Sequence, residues 1–76
     1  MSYRDEIHRR LEAAILGSGL TYRQIRTRAG LHINAVSGYM SKEKRMPSVE
    51  ALGKLCKVLG VSADQILGLE DDNEKT

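Results

Sequence analysis

The sequence predicts an all-α fold, five helices closing one small core, and three observations carry that prediction. Apolar residues recur at three- and four-residue steps in five separate stretches. Helix-ending glycines and capping residues separate those stretches, at Gly17-Ser18-Gly19, Gly30, Pro47-Ser48 and Gly60. Three tyrosines are the only aromatics among 76 residues, so the core must be built from Ile, Leu, Val and Ala. Residues 1–69 form the expected domain, and the acidic stretch 70–76 an expected disordered tail.

Helix one is expected over residues 3–17. Tyr3, Ile7, Leu11 and Ala14/Ile15 repeat at four-residue steps, while Arg4, Glu6, Arg9, Arg10 and Glu12 take other faces. His8 falls between seam and polar face and is read as a surface histidine. Helix two is expected over residues 22–29, where the Thr21 hydroxyl can accept from an unpaired backbone N–H. Ile25 and Ala29 lie four apart on its inner face, and Gly30 can supply the left-handed residue that stops it. Helix three is expected over residues 33–40, with His32 near the cap and Val36 and Tyr39 as an inward seam. Two helices this short, joined by so tight a turn, cannot bury both faces by running antiparallel. Crossing near a right angle lets Ile25, Ala29, Leu31, Val36 and Tyr39 meet, which is a helix-turn-helix.

Residues 41–46 form a polar loop carrying Lys42, Lys44 and Arg45. Ser48 caps the fourth helix, whose Val49, Leu52, Leu55/Cys56 and Leu59 make a continuous apolar seam. Cys56 on that seam reads as an inert buried thiol. Ser62-Ala63-Asp64-Gln65 has the form of a capping box and starts a fifth helix. Its Ile66, Leu67 and Leu69 exceed what closing so small a core requires.

The net charge of +2 hides an asymmetry: residues 1–47 carry nine Lys/Arg against four Asp/Glu, and residues 48–76 carry three against six. A basic half coinciding with the helix-turn-helix is the electrostatic pattern of a nucleic-acid face. One cysteine excludes an internal disulfide and fits a reducing cytosol. The first ten residues lack the apolar run of a signal peptide, and no run reaches the roughly 20 residues of a membrane span. A cytoplasmic protein is therefore expected. Catalysis is not, because no metal-ligand pair, phosphate-binding glycine loop or nucleophile with a base stands in the chain. His8, His32 and Cys56 lack the spacing of a metal site, and no cofactor is expected.

The stretch Thr21–Met40 resembles the helix-turn-helix of the phage repressor and Cro family, also called XRE-like. Thr21, Ile25, Gly30, Leu31, Val36, Ser37 and Tyr39 match that pattern without a gap. The basic loop with Pro47-Ser48 and the Leu59–Ser62 segment extend the match over about residues 7–69. Arg26 departs from it, standing where the family commonly has alanine at the crossing of the two helices.

The resemblance implies a compact five-helix phage-repressor-like domain, bacterial or phage-encoded, that binds operator DNA as a homodimer and regulates transcription, most often by repression. By position, His32, Ile33, Asn34, Ser37 and Gly38 would read bases in the major groove. Asn34 offers the donor and acceptor that match adenine, Ile33 could meet a thymine methyl or belong to the core, and bare Gly38 would admit DNA to the backbone. Thr21, Tyr22, Arg23, Arg26, Lys42, Lys44 and Arg45 would hold phosphates. The surplus residues Ile66, Leu67 and Leu69 would form the dimer interface. RNA polymerase is an expected contact, and an antitoxin or adaptor with a protein partner is the alternative use of the same fold. The family often pairs an arginine late in helix one with a glutamate ending helix three. Ile15 and Met40 stand there, so the two are expected to touch in the core.

Overall fold

A computed structural model describes residues 2–69, so the expected acidic tail at 70–76 lies outside the described residues. The helices are α1 (Tyr3–Gly17), α2 (Tyr22–Ala29), α3 (Ala35–Tyr39), α4 (Val49–Leu59) and α5 (Ala63–Leu67). Local chemistry accounts for most of their ends. Ser2, Ser48 and Ser62 each accept a bond from the backbone N–H three residues on, at 3.1, 3.1 and 3.0 Å. Thr21 and Gln24 form a complete capping box, each side chain bonded to the other's backbone N–H at 3.0 and 2.9 Å. Gly30, Gly60 and Gly68 end α2, α4 and α5 at φ of 68°, 72° and 74°. A residue with a Cβ is strained in that left-handed region.

The core is the aliphatic one the composition demands. Leu11 and Ile15 of α1 meet Ile25 of α2, Val36 and Tyr39 of α3, Leu55 and Cys56 of α4, and Ile66 of α5. Helix α2 packs on both α3 and α4, while α1 lies against α5. Ile15 is fully buried and Met40 is packed, half-buried, on the same cluster.

Four sequence readings are corrected. His8 is buried, only 2% exposed. Its Nε2 sits 2.5 Å from the Tyr39 carbonyl, which can only accept, so the imidazole donates there. The last carbonyls of a helix lack intrahelical donors, and this one finds its donor across the core. Val49 is 90% exposed rather than part of the seam, because the inward residues of α4 begin a turn later, at Leu52. Tyr3 is also exposed, its hydroxyl donating to the Leu67 carbonyl at 2.5 Å and tying the start of α1 to the end of α5. Ile66 is 1% exposed and belongs to the core of its own chain. Such a side chain has no surface left to bury against a second copy, so the surplus apolar area reduces to Leu67 and Leu69.

Candidate nucleic-acid interface

The turn between α2 and α3 is built by backbone bonds. Gly30 N–H donates to Thr27 O at 3.2 Å and Leu31 N–H to Arg26 O at 3.0 Å, closing the C-terminus of α2. The chain then makes one turn before α3: Ala35 N–H donates to His32 O at 2.9 Å, and His32 Nδ1 accepts from Asn34 N–H at 3.2 Å. Helix α3 therefore starts at Ala35, two residues later than expected, and Asn34 is its N-cap. The imidazole of His32 thus bonds the N-cap residue's own N–H, and not the N–H groups further into the helix that a cap side chain usually bonds. The Asn34 side chain makes no capping bond and is left exposed.

His32, Ile33, Asn34 and Ser37 all lie on the solvent side of α3. Ile33 is 68% exposed, which removes it from the core and leaves an apolar side chain standing in water. The opposite face is as expected, with Val36 and Tyr39 buried. Burial also pushes the Tyr39 phenol above its ordinary value of 10.0 and the Cys56 thiol above 9.0. A thiol held protonated is a poor nucleophile.

Positive charge flanks this face. Helix α2 contains no acidic residue, and among the described residues Arg23, Arg26, Arg28 and Lys42 have no hydrogen-bonded or ionic side-chain partner. A groove of about 380 Å³ runs between α2 and α3, lined by Tyr22, Arg23, Arg26, Ile33, Val36 and Ser37. Arg26 is half-buried there. Intermediate burial is what a long cation shows when its methylene stem can lie on apolar surface while its charge keeps to water.

A second groove, about 530 Å³, has Asn34, Ser37 and Gly38 on one side and Ser41, Lys42, Glu43 and Arg45 on the other. Here the sequence reading of Gly38 fails. The glycine is buried beneath Arg45, whose Cδ would lie 2.9 Å from a Cβ added at Gly38. No bare backbone is open to a ligand at that point. The loop is also more ordered than its composition indicates. The Gly38 carbonyl accepts from Ser41 N–H at 3.3 Å, Ser41 Oγ–H at 2.9 Å and Arg45 N–H at 3.2 Å. Ser41 Oγ in turn accepts from Glu43 N–H at 3.1 Å, and the Lys44 carbonyl accepts from Arg4 at 3.1 Å. Lys44 itself takes a left-handed φ of 51°.

Sequence reasoning missed Arg4, His8 and Glu43, which brace α3 and its loop. Only Glu43 left a signal: it is the one carboxylate between Glu12 and Glu50. Leu69 is 62% exposed and Leu67 half-buried, beside Tyr3 at the junction of α1 and α5. Among the described residues no three His, Cys, Asp or Glu are grouped to hold a metal ion. No described helix is long and apolar enough to cross a membrane.

Comparison with known families gives one result. The family model described as helix-turn-helix matches residues 11–66, from the middle of α1 to α5. No curated protein and no solved structure matches the chain.

Proposed function

The chain belongs to the helix-turn-helix family of the XRE type and is a DNA-binding transcription regulator, and from that premise we propose that it represses transcription by occupying an operator as a homodimer. The observation that carries the reading is the pairing of an exposed face on α3, where the Asn34 side chain makes no capping bond, with unpartnered cations around it. His32, Ile33, Asn34 and Ser37 enter the major groove, and Asn34 reads an adenine through its amide. Arg23, Arg26, Lys42 and Lys44, with Thr21 and Tyr22 at the start of α2, hold the phosphates on either side. Charge of this kind gives affinity without sequence preference, so side chains that reach base edges supply the discrimination.

One recognition helix spans too few base pairs for an operator. Two copies related by a two-fold would read half-sites about one duplex turn, roughly 34 Å, apart. Exposed Leu69 and Tyr3, with half-buried Leu67, are the surface the second copy covers. So small a patch makes a weak dimer in free solution, strengthened on DNA. Repression follows by steric exclusion of polymerase from the occupied site.

The test begins with selection of bound sequences from random duplexes. Asn34→Ala should then lose about 1–3 kcal/mol on the selected duplex and hardly change on a scrambled one. Equal loss on both would remove Asn34 from base reading. Sedimentation of the complex should give two protomers per selected duplex, and a single protomer would refute the dimer.

A further inference from the structure

Asn34 and Gly38 stand four residues apart, so both belong to one face of α3, one turn from each other. The second of these positions carries no side chain. Its place is taken by Arg45, whose Cδ and Cγ lie 2.9 and 3.7 Å from where a Cβ at Gly38 would be. The backbone holds the arginine there, through Arg45 N–H on the Gly38 carbonyl at 3.2 Å. Glu43 then orients the guanidinium, accepting from Arg45 Nε at 2.9 Å. Because Glu43 takes Nε, the two terminal amino groups are left without a partner among the described residues.

From this geometry we infer that Arg45 is a base-reading residue, lent by the loop to the side-chain-free turn of α3, and that its target is a guanine. The inference rests on the DNA-binding reading of the same face. A guanidinium with both terminal N–H groups free presents two parallel donors, which match O6 and N7 of guanine in the major groove. A residue that only held phosphate would need charge and reach, and a slack loop would provide both. Here the arginine is instead fixed to the recognition helix at its backbone and its stem, and a carboxylate is kept beside it. That carboxylate repels phosphate, so it is a cost for a backbone contact. For a base contact it is a support that fixes the donor plane. Glu43 is the only acidic residue from α2 to the loop, in a groove shared with Asn34 and Ser37.

Three variants and one modified base test the inference on the duplex selected by the intact protein. Arg45→Lys keeps the charge and loses the fork. It should bind the selected duplex about tenfold more weakly, lose preference at one guanine per half-site and leave scrambled duplex unchanged. Gly38→Ala keeps the arginine but places a methyl group where its stem lies, and should blur preference at the same guanine. Substituting 7-deazaguanine there, which lacks the N7 acceptor, should weaken the intact protein and leave Arg45→Lys indifferent. The inference is overturned if Arg45→Lys binds every duplex as the intact protein does. It is equally overturned if Arg45→Ala loses the same factor on selected and scrambled duplexes, with a shallower salt dependence, which would make it a phosphate contact. If the intact protein retards no duplex at all, the DNA-binding reading falls and this inference with it. Selective binding with no guanine preference touched by Arg45 removes this inference alone.

Discussion

Helices α3 and α5 are each five residues long, and they solve the problem of being short in opposite ways. Helix α5 is closed by its own sequence. Ser62 caps its N-terminus, left-handed Gly68 ends it, and Ile66 anchors it in the core. Helix α3 has no side-chain cap from its N-cap residue and no glycine at its C-terminus. Residues outside it brace it instead: His32 accepts from the N-cap N–H of Asn34, His8 of α1 donates to the Tyr39 carbonyl, and Arg45 covers Gly38. The Ser37 hydroxyl donates to the Asn34 carbonyl at 3.2 Å, but the Asn34 side chain is not used in capping the helix. The amide of Asn34 is free for a ligand in a way the hydroxyl of Ser62 is not.

The contrast breaks most severely at the core anchor. Ile66→Ala should cost about 3 kcal/mol, from lost burial and the cavity left behind. Urea unfolding reads it directly. A loss under about 1 kcal/mol would place Ile66 at a surface and reopen its role in the dimer.

Next comes the C-terminal end of α3, where Met40 packs on the cluster that contains Ile15. Met40→Glu should destabilise by about 2 kcal/mol, because a carboxylate at a half-buried apolar site lacks a partner. Adding Ile15→Arg should recover part of that loss. Additive losses in the double variant would show that the two positions do not face each other.

The caps sharpen the comparison further. Ser62→Ala should cost about 1 kcal/mol of stability, since the Gln65 N–H loses its acceptor. Asn34→Ala, at the matching position of α3, should change stability by less than about 0.5 kcal/mol, as a surface substitution without a lost bond. Similar losses at both sites in thermal unfolding would contradict a spent cap on α5 and an unspent one on α3.

The smallest effect is alkaline. Burial raises the Cys56 thiol above 9.0 and the Tyr39 phenol above 10.0, so the unfolded chain releases these protons first. The stability tied to them is fully present below pH 9 and is lost as pH rises through the folded-state values. The melting temperature should therefore decline above pH 9, and Cys56→Ala should flatten the first part of that decline. Parallel curves for the two proteins between pH 9 and 10 would exclude the thiol as a cause.

Local chemistry determined much of this molecule in advance. Periodicity and caps fixed α1, α2 and α4 at the bounds the chain adopts, because an N-cap hydroxyl or a left-handed glycine acts on backbone within one turn of itself. The inward faces of α2 and α3 and the exposed polar side chains opposite were legible for the same reason. Tertiary structure decided the rest. Whether Ile66 is core or surface depends on how α5 lies against α1, which no spacing within α5 encodes. His8 is buried because Tyr39, far away in sequence, presents an unpaired carbonyl to it. Arg45 belongs with the recognition face only because the loop folds back onto Gly38. A composition rich in lysine and arginine marked that loop as charged. Where the Arg45 charge lies was set by its backbone bond to Gly38 and its side-chain bond to Glu43.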